Sequence, residues 1–192
     1  VSKAAAKIVL VDDNFATIAA AVEEGRRVYD NLQKALAFLL PTNLGLALVL
    51  AAATLFFPTV VVEGIGPELL LPMSPTQILW INLVASVLLS LPVAFEALEP
   101  GAMRRPPRAR NAPVFSPFVI GRTVVVALLM AAGTCALFAW EFERFTRGLP
   151  SPLPATAYRD ALAEAQTIAV TTVALIQVCY LLHCRSLRGG LR

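Results

Sequence analysis

Long apolar stretches separated by shorter polar segments dominate the pattern of this chain. Four of the stretches approach or exceed the roughly 20 residues that a helix needs to cross the hydrocarbon of a bilayer. They run over about residues 35–57, 77–97, 118–142 and 165–184. We therefore predict an all-α membrane protein with four transmembrane helices.

The segment before the first span begins with a short apolar run, Lys7–Val11, which predicts a strand. Asp12, Asp13 and Asn14 follow it, and either of the last two can cap a helix, because its side-chain oxygen accepts hydrogen bonds from the free N–H groups of the first turn. The helix should continue into the first span, because only Gly25 interrupts it and glycine merely weakens a helix interior. The alternative is two helices that meet near Gly25.

Opposite charges on this predicted helix are spaced to lie on neighbouring turns. Glu23 precedes Arg27 by four residues, and Asp30 precedes Lys34 by the same distance. Pairs with this spacing and order stabilise a solvated helix. We therefore expect both pairs to form along a water-exposed extension of the first span.

The composition agrees with a membrane protein. Apolar residues make up 57% of the chain and charged residues only 15%, whereas soluble domains contain about 25% charged residues. The net charge of +3 does not indicate a nucleic-acid partner, because the basic residues lie at the ends of the apolar stretches and form no single patch. Cys135, Cys179 and Cys184 lie inside apolar stretches, and an odd number in that setting does not predict a disulfide framework.

Lysine and arginine are unevenly divided between the two sides that four spans define. Thirteen fall before the first span, between the second and third spans, or after the fourth span, and three fall on the other side. Basic residues accumulate on the cytoplasmic side of membrane proteins. We therefore predict an integral membrane protein with both termini of the chain cytoplasmic, and we take a bacterial plasma membrane as its default location.

Polar groups inside the first span mark a candidate ion site, since such groups are costly in hydrocarbon and usually face a partner or a pathway. Pro41 removes the helical hydrogen bond to the carbonyl of Ala37 and tends to kink the helix. A freed carbonyl beside the Asn43 amide is a plausible oxygen set for a hard cation. The alternative is a kink that serves packing, with Asn43 hydrogen-bonded across helices.

The second and fourth spans carry further polar residues. Asn82, Ser86 and Ser90 recur every four residues, which places them near one face of a helix; the alternative role for the serines is close helix packing. Pro92 interrupts the helix near the end of the second span, and Gln177 is the least expected polar residue of the fourth. The residues alone thus predict a polytopic membrane protein with a polar site among spans one, two and four.

Six strings of the chain resemble the P-type cation-transporting ATPases. In the family's order and spacing, they are Val11–Ile18 (VDDNFATI), Ala21–Asn31 (AVEEGRRVYDN), Leu40–Gly45 (LPTNLG), Pro75–Val84 (PTQILWINLV), Ala94–Arg108 (with FEALEPGAMRRPPR) and Ala165–Ser186 (with QTIAV and HCRS). Together they resemble the C-terminal transmembrane portion of the P2-type, calcium-pump-like branch. By this resemblance the four spans are helices five to eight of ten.

The resemblance implies that residues 1–18 end a cytoplasmic, HAD-like phosphorylation domain and that residues 19–192 form the membrane domain. The family couples ATP hydrolysis to cation movement through an aspartyl-phosphate intermediate. The sequence begins at Val1 and lacks the Asp-Lys-Thr-Gly-Thr signature of the phosphorylated aspartate. We therefore expect a piece of a longer pump that is inactive by itself. Its partners are then the lipid bilayer, the transported cation, and a missing N-terminal half with helices one to four, which binds ATP and Mg²⁺ outside this chain.

The resemblance also implies roles for individual residues. Asn43, Asn82 and Gln177 match ion-binding positions, with Ser86 as an uncharged replacement for an aspartate. Asn43 and Asn82 are the candidate metal ligands. The coupling or hinge positions are Asp12, Asp13, Asn14, Pro41 and Pro92.

The candidate ion site departs from the family's pattern. Leu46 replaces a glutamate, Ala85 and Ser86 replace a threonine and an aspartate, and Val87–Leu89 replaces a Gly-Leu-Pro break, with proline delayed to Pro92. The loss of two carboxylates should weaken affinity for a divalent cation, so the transported cation stays open. The alternative is a non-catalytic pseudo-pump or membrane scaffold with a degraded ion site. An unrelated secondary transporter would show repeats with broken helices in matching halves.

Overall fold

The computed structural model describes residues 14–98, 100–107 and 114–184. Lys7–Val11, Asp12 and Asp13 lie outside the described residues, so the predicted strand and two of the predicted hinge residues are not placed. Within these ranges, the helices long and apolar enough to cross a membrane are α1 (Phe15–Phe56), α2 (Pro75–Ala94), α3 (Pro117–Thr146) and α4 (Ala155–Cys184). The predicted all-α architecture with four spans is confirmed.

Helix α1 is a single element of 42 residues. Asn14, one of the two predicted caps, begins it, because its side-chain oxygen accepts a hydrogen bond from the N–H of Ala16 at 3.0 Å. The helix continues through Gly25 without a break. At 1.5 Å per residue it is about 63 Å long, roughly twice the thickness of the bilayer hydrocarbon. About half of α1 therefore lies outside the membrane core.

Helix α2 contains a π-helical turn, which the sequence pattern does not predict. The α-helical start, Pro75–Trp80, leads into the π-helical segment Ile81–Ser86, and the α-helix resumes over Val87–Ala94. A π-helical turn takes more residues than an α-helical turn, because its hydrogen bonds join residues five apart. The four-residue spacing therefore does not align the side chains, and the predicted common face is wrong: Ser86 is buried, whereas Asn82 is exposed.

The core lies where α3 packs against both α1 and α4. A Cβ atom added at Gly45 of α1 would lie 2.1 Å from the Cε atom of Met130 on α3, so an alanine at this position would require the buried Met130 side chain to move. Nearer the end of α1, the rings of Phe57 and Phe138 stack with their centroids 5.6 Å apart. The small residue and the stacked rings together hold α1 against α3.

The connections at the opposite end of the bundle from Asn14 join into one small cap. Strands β1 (Thr59–Val62) and β2 (Gly66–Leu69) form an antiparallel hairpin between α1 and α2. Leu153, which precedes α4, donates its N–H to the carbonyl of Val61 and accepts a hydrogen bond from the N–H of Glu63, both at 2.9 Å. The α1–α2 and α3–α4 connections are therefore tied together by backbone hydrogen bonds.

Candidate ion site

A buried polar contact joins α2 to α4. Ser86, the last residue of the π-helical segment, is 2% exposed, and Gln177 is fully buried. The Nε2 atom of Gln177 donates to the Oγ atom of Ser86 at 3.4 Å, and the Ser86 hydroxyl donates to the carbonyl of Ile81, five residues earlier, at 3.2 Å. Two of the four residues predicted to bind an ion therefore meet in the interior of the bundle.

The side-chain carbonyl oxygen of Gln177, Oε1, is buried and has no hydrogen-bond partner among the residues that the structure describes. A buried polar atom left in this state costs about 1–3 kcal/mol, so its presence calls for an explanation. Hard cations take neutral oxygens as ligands. Gln177 Oε1 and Ser86 Oγ are thus two neighbouring oxygens that can serve a cation.

Asn43 and Asn82, the other two predicted ion-binding residues, lie elsewhere. Both side chains are exposed, whereas Ser86 and Gln177 are buried, so the four residues form no single cluster in the described part of the chain. Asn82 lines an open cavity of about 480 Å³ between α1 and the start of α2. The π-helical segment therefore carries one polar side chain toward this cavity and another into the bundle.

The carbonyl that Pro41 leaves without its helical partner has another donor. The hydroxyl of Tyr180 on α4 donates to the carbonyl of Ala37 at 3.2 Å, and the Tyr180 ring stacks on Phe38 with a centroid distance of 6.5 Å. The Thr42 hydroxyl bonds back to the Phe38 carbonyl at 3.1 Å. The carbonyl that this proline frees from its helical hydrogen bond is therefore occupied by a donor from α4.

The described part of the chain brings little negative charge to this region. Leu46, where the family resemblance predicts a glutamate, is buried in the apolar core. No group of three or more His, Cys, Asp or Glu residues that could hold a metal ion occurs among the described residues. The buried Glu141, near the far end of α3, pairs with Arg144 at 3.2 Å. The Ser86–Gln177 contact is accordingly a site of neutral oxygens.

The segment that follows α2 is held against the exposed half of α1. The Asn31 amide donates to the carbonyls of Ala94 at 3.2 Å and Glu96 at 2.8 Å, which satisfies backbone groups at the end of α2. Lys34, only 3% exposed, pairs with the carboxylate of Glu96 at 3.0 Å. Pro92 lies in this last turn of α2 and is exposed.

Further along the same segment, a second set of contacts continues the attachment. The Arg26 guanidinium donates to the carbonyls of Ala102 at 2.6 Å and Arg105 at 2.8 Å. Arg105 in turn pairs with Asp30 at 2.8 Å. We call the six residues whose side chains make these contacts the loop clasp: Arg26, Asp30, Asn31 and Lys34 of α1, with Glu96 and Arg105 of the segment after α2.

Neither ion pair that local spacing predicts, Glu23–Arg27 or Asp30–Lys34, forms among the described residues. Asp30 and Lys34 each bind a residue of the segment after α2, and Arg27 pairs with Glu24. A long-range partner prevails because it satisfies charges that the approaching segment would otherwise bury. The available signal was the position of Lys34 directly before the first apolar stretch, since a buried lysine needs an acidic partner.

A known family matches most of the membrane region. Residues 70–191 match the family described as the cation-transporting ATPase C-terminus. This range includes α2, α3 and α4, with both residues of the buried polar contact.

Curated relatives extend the similarity over nearly the whole chain. A probable cation-transporting ATPase F of Mycobacterium tuberculosis is 42% identical over 187 residues. A cation-transporting ATPase of Synechocystis is 35% identical over 187 residues, and a calcium-transporting ATPase of Bacillus subtilis is 36% identical over 186. Each alignment covers 97% of this chain but only 18% of the relative. The chain therefore spans about a fifth of the length of these relatives.

Proposed function

The chain belongs to the cation-transporting ATPase family, as its C-terminal membrane region, and from that premise we propose that it lines the ion pathway of a P-type pump. ATP hydrolysis in other parts of a longer polypeptide drives a cation between these helices. ATP and Mg²⁺ bind outside this chain, which by itself is inactive. Both termini of the chain lie on the cytoplasmic side, as the distribution of basic residues favours.

The observation that carries the proposal is the buried contact of Ser86 with Gln177. Polar groups inside a membrane-spanning bundle are costly and mark pathways or functional partners, and π-helical turns are frequent at functional sites. Here both features coincide, and Gln177 Oε1 has no partner in the described structure. A cation that passes between α2 and α4 would supply the missing partner.

Asn43 of α1 and Asn82 of α2 take part at the exposed surface of the bundle. Asn82 follows Ile81, whose carbonyl binds Ser86, so the open cavity at Asn82 and the buried contact lie on one π-helical segment. We propose that this cavity is one end of the ion path and that other membrane helices of the pump cover the two asparagines. These helices would also bring the negative charge that the neutral oxygens lack.

The test is the cation dependence of ATP hydrolysis by the full-length pump. The change Gln177→Leu removes the buried oxygen and should raise the cation concentration for half-maximal activity by about tenfold, the equivalent of one modest ligand interaction. Thr171→Val is the matched control, because Thr171 is exposed on the same helix and its hydroxyl binds only the carbonyl of Thr167, at 2.7 Å. An unchanged cation dependence in Gln177→Leu would remove this contact from the ion path.

A second candidate function is a non-catalytic scaffold derived from a pump. The apolar residues at Leu46 and Ala85, where the family resemblance implies ligands, favour it. ATP hydrolysis by the unmodified full-length protein separates the two candidates. Stimulation by any cation supports the pump, whereas hydrolysis that no cation stimulates, or no hydrolysis at all, supports the scaffold.

A further inference from the structure

An apolar groove runs between α3 and α4 on the surface of the bundle. Its volume is about 470 Å³, within the range of roughly 300–1,000 Å³ that is typical of ligand sites. Side chains of both helices line it, including Leu129, Met130, Leu175, Ile176, Tyr180 and His183. Because α3 and α4 are membrane-length helices, the groove lies on the membrane-spanning surface of the described bundle.

One end of the groove carries an arginine that has poor partners. Arg122 lies one turn before Val126, which lines the groove, and its guanidinium sits over the ring of Tyr180 at 5.6 Å. One of its terminal nitrogens donates to the Sγ atom of Cys184 at 4.0 Å, and a thiol is a weak acceptor. The Nε atom of Arg122 is buried and has no acceptor within the ranges that the structure describes.

The position of Arg122 along α3 matches the level of lipid headgroups. It is the sixth residue of the helix, about 8 Å from the first residue along the axis. Arginine presents a planar set of N–H donors that suits the oxygens of a phosphate. Basic pockets between membrane helices are a recurrent mode of anionic headgroup recognition. The arginine and the apolar groove are therefore arranged like the two ends of a phospholipid.

We propose that the groove binds one anionic phospholipid, with an acyl chain between α3 and α4 and its phosphate at Arg122. The phosphate oxygens accept the hydrogen bond that Arg122 Nε lacks, and His183 at the same end of the groove lies beside the headgroup. A membrane helix seated in the groove would fill its apolar part but leave the arginine without an anion. The lipid is the occupant that satisfies both ends.

The experiment uses the purified full-length pump in detergent, with phosphatidylglycerol and phosphatidylcholine of identical acyl chains as probes. Native mass spectrometry counts the lipids that stay bound. We expect one phosphatidylglycerol to be retained with about tenfold preference over phosphatidylcholine. Both headgroups offer phosphate oxygens to Arg122, but the choline ammonium cancels the negative charge that the guanidinium attracts, whereas phosphatidylglycerol keeps it. Arg122→Gln should abolish the preference. Arg147→Gln, at an exposed position beyond the far end of α3, is the matched control and should keep it.

A second variant tests the groove without altering charge. Leu175→Trp places a larger ring at a groove residue that is 60% exposed, so it should lower phosphatidylglycerol retention while leaving the thermal stability of the detergent-purified protein unchanged. If Arg122→Gln fails to fold, phosphatidylglycerol retention by Leu175→Trp still tests whether the groove binds the lipid. Equal retention of the two lipids by the unmodified pump would overturn the proposal, since it would mean that another helix covers the groove or that no headgroup is recognised. Displacement of the lipid by millimolar inorganic phosphate would overturn it as well.

Discussion

At the scale of single residues, α4 holds α1 and α2, the helices with an internal proline, through two polar side chains. Gln177 donates to Ser86 of α2, and Tyr180, three residues later, donates to Ala37 of α1. The second bond supplies the donor that Pro41 cannot. One face of α4 thus supplies the hydrogen-bond donor that Pro41 removes from α1 and contacts the π-helical segment of α2.

The Tyr180 hydroxyl should contribute measurably to stability. We expect Tyr180→Phe to lower the free energy of unfolding by about 1 kcal/mol, in the range for a hydrogen bond between membrane helices, because the ring and its stacking on Phe38 remain. Denaturant unfolding in detergent measures the change. Tyr158→Phe is the control, since the Tyr158 ring packs edge-on against Phe142 at the other end of α4. Equal effects in the two variants would contradict the role of the Ala37 contact.

The sequence predicts which residues are unusual better than it predicts their partners. Gln177 stands out because amides are rare in membrane spans, yet nothing local shows that Ser86 lies opposite. Lys34 is assigned to Asp30 by spacing, although its partner in the structure is Glu96, 62 residues away. Such contacts arise from packing between elements, which the pattern along one helix does not encode.

At the scale of elements, helix packing depends on small residues as much as on large apolar ones. Without a hydrophobic force between helices in lipid, association relies on close contact and interhelical hydrogen bonds. Gly45 permits such contact between α1 and α3. Gly25, by contrast, lies in the exposed half of α1, where an added Cβ atom would meet nothing within 4 Å.

This difference makes the two glycines a matched pair. Gly45→Ala should destabilise the protein by about 1–3 kcal/mol, the usual cost of overpacking, because Met130 must move. Gly25→Ala should stabilise it by about 1 kcal/mol through helix propensity alone. Thermal unfolding in detergent compares them, and the double variant Gly45→Ala with Met130→Ala should recover part of the loss. Stabilisation by Gly45→Ala would show that the close contact is unimportant.

The four helices follow from the sequence because length and apolar composition alone identify membrane spans. Their polar extensions are harder to place. Helix α4 begins at Ala155, ten residues before the predicted span, because hydropathy detects only the apolar part of a helix. The residue types of the π-helical segment of α2 do not distinguish it from an α-helix. The four-residue spacing of Asn82, Ser86 and Ser90 predicts one polar face only if the helix is a regular α-helix.

At the scale of the whole molecule, the loop clasp makes the exposed half of α1 and the segment after α2 one unit. The contacts of Asn31 and Lys34 lie at the end of α2, and those of Arg26 and Asp30 reach as far as Arg105. A displacement of α1 on this side of the membrane is therefore passed to α2 through side chains as well as through the core.

The buried ion pair should control this attachment. Lys34→Met removes the ammonium group that pairs with the carboxylate of Glu96, so hydrogen exchange of residues 95–107 should increase by about tenfold or more, as removal of one partner of a buried pair is costly. The double variant Lys34→Met with Glu96→Gln should restore most of the protection. Arg27→Met is the control, because the Arg27–Glu24 pair is largely exposed and such pairs contribute little. Unchanged hydrogen exchange in Lys34→Met would show that the other contacts of the loop clasp hold residues 95–107 against α1 without the ion pair.

The topology of the molecule is a further prediction. With both termini cytoplasmic, Ser151→Cys, between α3 and α4, should react with an impermeant maleimide added to intact cells, because this position is exposed. Met103→Cys, in the segment after α2, should react only after the membrane is permeabilised. A cysteine-free background serves both variants. Labelling in the reverse order would invert the predicted orientation.

The close contact at Gly45 divides α1 into unequal arms. The helix extends 30 residues to one side of this contact and 11 to the other, or about 45 Å and about 17 Å. A helix that tilts about such a fulcrum works as a lever, whose long arm travels about 2.7 times as far as its short arm. Asn43 lies only two residues from the fulcrum and hardly travels at all. Motion of the long arm would thus reach Asn43 as a change of tilt with little displacement.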